Sequence, residues 1–159
     1  MEQDLAIREG VAEDYPAVLD IQRRAYREKE APLYGENLPP LFETPETLAE
    51  ELAAGKRLLV GVYDGRIAAS LRMKTLEDGS VYFGRLSVDP DLQGKGIGKR
   101  MALAVEDWHP EAAVFVLDCG EKSEENRHIY GKIGYRETGE VVEVEYGPRC
   151  VVMKKRRNI

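Results

Sequence analysis

Two hydrophobic periods divide the chain. LAIRE (Leu5–Glu9) alternates as a short strand does, and Ala12–Glu28 then carries Tyr15, Val18, Leu19, Ile21 and Ala25 at spacings of three and four, the stripe of an amphipathic helix. Ala31–Phe42 holds three prolines and a glycine and predicts a loop. A second helix starts with Thr44 as its cap and Pro45 at the first helical position, buries Leu48 and Leu52, and stops near Gly55. RLLVGVYD and RIAASLRMKTL follow, joined by Asp64-Gly65, a strong hairpin signal between apolar runs. Asp78-Gly79 turns the chain into VYFGRLSV, which completes a three-stranded antiparallel meander. Gly96–Trp108 predicts a helix that can bury Ile97, Met101, Leu103, Ala104 and Trp108. AAVFVLDC has the near-continuous apolar character of a strand buried on both faces. Ser123–Ile133 predicts a helix ended by Gly134, and YRETGEVVEVEY with RCVVMKK predicts a long hairpin around Gly147-Pro148. The order β-α-α-β-β-β-α-β-α-β-β describes a mixed α/β sheet rather than a doubly wound one.

Composition narrows the class. With 159 residues the chain fits one domain, expected to span 1–159, and its length is enough for a core without staples. No apolar run approaches the roughly 20 residues of a membrane helix, and Met1–Gly10 has no signal-peptide character, so no membrane association is expected. The two cysteines, Cys119 and Cys150, make neither a disulfide framework nor a metal quartet, which fits a cytoplasmic protein with reduced thiols. A net charge of −6 argues against general nucleic-acid binding, which needs a basic face. The one basic cluster, Lys154–Arg157, is expected at a solvated chain end.

Against that acidic background, DLQGKGIGKR (Asp91–Arg100) places three glycines and three cations after the strand ending at Val88. A helix beginning within the glycines offers unpaired N–H groups and the positive end of its dipole to an anion. The glycines let the backbone approach closely, and Lys95, Lys99 and Arg100 add charge, so a phosphate is expected here, most plausibly a pyrophosphate. A dinucleotide fingerprint fails at Lys99, where a third glycine would be needed. A nucleoside-triphosphatase loop fails at Gln93 and Arg100.

Gln93, Gly96 and Gly98 form Q-x-x-G-x-G after a strand ending LSVDP, and NRHIYGKIGY (Asn126–Tyr135) has a Y-x-x-x-G-Y ending. Both motifs, and the element order, resemble the GNAT family of N-acetyltransferases across essentially the whole chain. The resemblance implies a mostly antiparallel sheet of about seven strands, splayed at the acyl-CoA site and flanked by four helices. It implies acetyl-CoA as donor, no metal, and direct transfer to a primary amine of a small molecule or peptide in a ternary complex. Backbone groups of Leu86, Ser87 and Val88 would pair with the pantetheine arm. Gln93, Gly94, Lys95, Gly96, Ile97, Gly98, Lys99 and Arg100 would line the diphosphate. Asn126 would reach the cofactor from one helical turn before Tyr130; the family's asparagine position is Ser123 here, so which of the two makes the contact stays open, and Ser123 also suits a helix cap.

Tyr130 is the expected acid, since a phenol with an ordinary pKa near 10 can protonate the departing thiolate. The general base is open: Ser80–Val88 carries no acid and Arg85 as its only charge, leaving Asp118, Glu121 and the acids of Glu30–Glu43. An acyl-CoA-binding protein without transfer is the alternative. Cys119 reads as packing rather than as an acyl-accepting thiol, and His109 and His128 lack ligand spacing. Family topology makes the strands of Cys119 and Cys150 antiparallel neighbours, so the two thiols are expected close together and reduced. A homodimer is compatible with the family, and neither the acceptor nor the oligomeric state follows from the sequence.

Overall fold

The computed structural model describes residues 5–143 and 148–157. Its strands are β1 (Ala6–Glu9), β2 (Arg57–Tyr63), β3 (Arg66–Thr75), β4 (Val81–Val88), β5 (Val114–Gly120), β6 (Arg136–Glu143) and β7 (Arg149–Arg156). The helices are α1 (Tyr15–Lys29), α2 (Ala31–Tyr34), α3 (Pro45–Ala53), α4 (Ile97–Asp107) and α5 (Glu124–Lys132). The strands form one sheet in the order β1-β2-β3-β4-β5-β7-β6, antiparallel throughout except for β4 against β5.

The expected four helices are present, and a fifth, α2, occupies part of the segment predicted as a loop. It lasts one turn because Gly35, at φ 93°, reverses the chain after Tyr34. α3 starts as its sequence dictates: the Thr44 hydroxyl accepts from Thr47 N at 3.2 Å, with Pro45 at the first position. α1 buries Val18, Leu19, Ile21 and Ala25, and also Gln22, a polar residue inside the apolar stripe. The main core lies between the sheet and α4, where Met101, Ala102 and Val105 meet Leu71, Phe83 and Phe115. β5 departs from expectation, since its residues alternate between buried and half-buried instead of being buried on both faces.

At the C-terminal end one expectation is revised and another, the pairing of the two cysteine strands, holds. Lys154–Arg157 is not a solvated tail: the first three residues belong to β7, Lys155 Nζ pairs with Glu106 Oε2 at 2.7 Å, and the Arg157 guanidinium donates to the carbonyls of Ala112, Glu106 and His109. Cys119 and Cys150 are free, buried and on neighbouring antiparallel strands. Cys119 stands opposite Val151 and Cys150 opposite Gly120, so this one-residue offset sends the two side chains to opposite faces of the sheet. The turn expected around Gly147-Pro148 lies partly outside the described residues.

Candidate active site

The site begins where two strands part. β4 and β5 pair only at Val81–Phe115 and Tyr82–Val116. From Phe83 onward the backbone of β4 facing β5 has no strand partner among the described residues, and buried backbone groups without partners are costly unless something else satisfies them. A cavity of about 990 Å³ opens in this gap, lined by Phe83–Val88 on one side and Leu117–Gly120 on the other.

A bulge in β4 shapes its wall. Arg72 faces Gly84 and Ser70 faces Ser87, so Arg85 and Leu86 together stand opposite the single residue Leu71. Arg85 takes up the extra residue at φ 56°, a left-handed conformation unusual for a side chain of its size. Leu86 and Val88 face α4, while Ser87 is buried and its hydroxyl donates to Arg85 O at 3.2 Å.

The glycine loop is fixed at its root by Asp89. Its Oδ1 accepts from Asp91 N at 2.9 Å, its amide donates to Ala68 O, and the buried carboxylate pairs with Arg24 of α1 at 3.1 Å. These contacts hold its pKa below the ordinary value: burial works the other way but is outweighed by Arg24 and the Asp91 amide. The chain then passes through Gly94 (φ 81°) and Gly96 (φ 74°), both left-handed, into α4. The first helical bond past the cap runs from Arg100 N to Gly96 O, which leaves the N–H groups of Ile97, Gly98 and Lys99 at the helix end.

Gln93, Gly94, Gly96, Ile97, Gly98 and Lys99 line the cavity; Lys95 and Arg100 do not. Gln93 turns back to donate to Val88 O at 3.1 Å, and Arg100 reaches Leu5 O at 3.4 Å. A Cβ at Gly98 would lie 3.5 Å from Val88 Cγ2 and 4.0 Å from Leu86 Cδ2, ordinary contacts that the fold accepts. Gly98→Ala is therefore expected to keep its thermal stability, while the added methyl on the cavity lining weakens binding of an anion held at this helix end by about tenfold, as much as losing one hydrogen bond to a charged group. Unchanged affinity for coenzyme A in titration calorimetry would mean that no phosphate of such a ligand sits at this helix end.

The second motif is a helix ending. Tyr135 N donates to Tyr130 O at 3.0 Å and Gly134 N to Gly131 O at 3.2 Å, with Gly134 at φ 107°. This is a Schellman motif, and its usual apolar contact is made by the rings of Tyr130 and Tyr135, 6.1 Å apart, with Phe83 completing the aromatic cluster. Tyr130 lines the cavity from this cluster, and burial pushes its phenol well above its ordinary pKa, keeping the proton on the oxygen.

Ser123 and Asn126 converge on one carboxylate that the sequence does not single out. Ser123 Oγ donates to Glu30 Oε2 at 2.9 Å and Asn126 Nδ2 to Glu30 Oε1 at 2.9 Å. Ser123 makes no side-chain cap; its hydroxyl accepts instead from Tyr34. Burial raises the Glu30 pKa, and the two hydrogen bonds only partly offset that rise. Glu30 follows the charged run REK at the end of α1, a pattern that reads as a solvated face; only the fold brings it against α5. The other candidate bases differ. Glu43 is paired with Arg72 and Arg85, which outweigh its burial and hold its pKa at about 2. Asp118 lines the cavity and accepts from the Tyr82 hydroxyl at 2.6 Å, whereas Glu121 pairs with Arg149 outside it. Burial pushes the Cys119 thiol up to about 12, which removes it as a nucleophile. No cluster of three metal-ligating side chains occurs among the described residues.

The sequence matches the model of the acetyltransferase (GNAT) family over residues 15–135, a stretch that runs from the first residue of α1 to Tyr135. The chain belongs to the GNAT acetyltransferase family. Solved GNAT structures share its fold. The PaiA N-acetyltransferase of Thermoplasma acidophilum, in complex with coenzyme A, is 18% identical with a TM-score of 0.79, covering 97% of this chain and 99% of that one. The protein YncA of Salmonella typhimurium, with its cofactor acetyl-CoA, is 19% identical with a TM-score of 0.73, covering 96% and 94%. The ribosomal-protein-alanine N-acetyltransferase of Brucella melitensis is 19% identical with a TM-score of 0.75, covering 96% and 99%. No curated protein matches the chain in sequence. Among the described residues, no helix of this GNAT chain is long and apolar enough to cross a membrane.

Proposed function

We propose that the chain, as one domain over 1–159, is an N-acetyltransferase that moves the acetyl group of acetyl-CoA to a primary amine within a ternary complex. The observation that carries this reading is the parting of β4 from β5 above a helix end with three free N–H groups, joined by one cavity that Tyr130 and Glu30 both line. These residues fit acetyl-CoA. The unpaired edge of β4 at Leu86, Ser87 and Val88 suits the amides of a pantetheine arm. The N–H groups of Ile97, Gly98 and Lys99 suit a diphosphate, and glycine at 94, 96 and 98 removes the Cβ atoms that would keep it away. Lys99 adds charge on the cavity side, while Lys95 and Arg100 act at longer range.

Bound acetyl-CoA supplies a thioester, and its displacement by an amine forms a C–N bond, breaks the C–S bond, removes a proton from nitrogen and leaves one to be gained by sulfur. Glu30 takes the proton from the amine, directly or through water. Ser123 and Asn126 orient its carboxylate and favour the ionised form. Tyr130 holds a proton for the departing sulfur; its hydroxyl has no hydrogen-bond partner among the described residues, so none has to be broken. The aromatic cluster keeps the ring in place. The alternative of acyl-CoA binding without transfer draws its support from a missing base, and Glu30 supplies one. Two buried free thiols suit a reducing compartment such as the cytoplasm.

Tyr130→Phe keeps the ring and its packing and removes only the proton donor. Transfer is expected to slow by roughly 10²-fold, the low end of general acid contributions, with acetyl-CoA binding retained on the same preparation. Full activity with intact binding would remove Tyr130 from the catalytic list.

A further inference from the structure

Arg85 is the one charged residue of β4, and the bulge decides where it points. Alternation along the strand would send residue 85 to the α4 side with Phe83. The extra residue turns it instead to the α1 side, where its Nε donates to Glu43 Oε1 at 3.1 Å. Glu43 is itself held by Arg72 at 2.7 Å and by Gln22, so the Arg85 guanidinium is oriented by a buried network rather than by solvent. Its Nη1 and Nη2 make no hydrogen bond among the described residues, and the side chain, 34% exposed, lines the cavity. Resting on the transferase reading above, we propose that the amine acceptor also carries a carboxylate, which the free fork of Arg85 binds in the acceptor half of the cavity.

The charge pattern supports an acceptor with two opposite ends. At the Arg85 end, Arg72, Arg85 and Lys56 share the carboxylates of Glu43 and Glu51, three positive charges against two negative, so one positive charge is left over. Elsewhere in the cavity, Glu30 and Asp118 have no cationic partner among the described residues; Ser123, Asn126 and Tyr82, all neutral, donate to them. That lining matches a molecule with an ammonium at one end and a carboxylate at the other, the amino-acid class. A planar guanidinium with two unused NH₂ groups suits the paired oxygens of a carboxylate. The cofactor does not compete for it, because the diphosphate site lies at α4, on the other side of the sheet from Arg85.

The test compares α-, β- and γ-amino acids with their own carboxamides and with simple diamines, at saturating acetyl-CoA, by CoA release. The wild-type chain is expected to favour carboxylates over matching carboxamides by about 10- to 100-fold in kcat/KM, mostly through KM. In Arg85→Gln that ratio falls toward one through a raised KM for the carboxylates. Arg85→Lys keeps the charge without the fork and gives an intermediate ratio; it also serves if Arg85→Gln does not fold at its left-handed position. A wild-type ratio of one, a preference for diamines, or a ratio preserved in both variants would overturn the inference while leaving the transferase reading intact. No turnover of any acceptor, with acetyl-CoA bound, would instead count against the transferase reading, and the inference would fall with it.

Discussion

Arg72→Met is expected to destabilise the fold by about 3–5 kcal/mol, the usual result of removing one partner from a buried ion pair. Arg72 is 2% exposed on β3 and binds Glu43, Glu51 and Gln22 together, with Gln22 Oε1 at 2.8 Å. Gln22 in turn donates to Pro40 O at 3.0 Å, so this one guanidinium ties β3 to α1, to the segment after α2 and to α3. Methionine fills much of the volume but leaves Glu43 ionised in a half-closed site with Arg85 as its one remaining cationic partner and Gln22 as a neutral donor. Urea unfolding followed by circular dichroism measures the loss. A second change, Glu43→Gln in the same chain, should restore part of it, because the stranded charge is then gone. A loss under about 1 kcal/mol for Arg72→Met alone would mean that Arg85 and water suffice to hold Glu43. The same network has a pH signature. The folded pKa of Glu43, about 2, lies below its ordinary 4.5, so its ionised form stabilises the fold. That contribution is complete above pH 4.5 and is lost as pH falls toward 2, and Arg72→Met should remove most of this acid sensitivity.

Local chemistry was enough to read much of this molecule from its sequence. Asp64-Gly65 and Asp78-Gly79 mark the meander because turns there need left-handed backbone, and Asp64, Gly65 and Gly79 all have positive φ. Thr44-Pro45 marks the start of α3, and Gly134 the end of α5, for equally local reasons. The features that escaped depend on contacts between distant segments. Nothing in VYFGRLSV announces a bulge, since the left-handed residue is an arginine and not a glycine; the register against β3 creates it. Gln22 looks like a surface residue until Arg72, 50 positions later, meets it. Glu30 stands among several candidate acids, and what sets it apart, its two donors, comes from more than 90 positions away. In the glycine loop, composition gave the helix end correctly but not the directions of its cations. Arg100 stands two positions past Gly98, about 200° around α4 from it at 3.6 residues per turn, and reaches Leu5 O instead.

Glu30→Gln is expected to lower kcat by about 10²- to 10³-fold, within the range of a general base, with acetyl-CoA affinity little changed. Glutamine preserves the shape of the side chain and still accepts one hydrogen bond, so the fold should survive; the property lost is basicity. The pH profile separates this role from a structural one. As pH falls through the Glu30 pKa the carboxylate gains a proton and the rate declines; burial raises that pKa, so the decline sits above the ordinary carboxylate value of 4.5. The acceptor's ammonium titrates far above this window. Ser123→Ala and Asn126→Ala each remove a donor that favours the ionised form, so either change should move the acid limb to higher pH, and Glu30→Gln should abolish it. A merely structural Glu30 would leave the limb where it is in all three variants. Asp118 is the control. It lines the same cavity, but the Tyr82 hydroxyl already occupies Oδ1, and Asp118→Asn should cost less activity than Glu30→Gln. If Asp118→Asn instead removed the acid limb and most of kcat, the proton would leave the amine on the β5 side of the cavity, and Glu30 would be a positioning residue for α5.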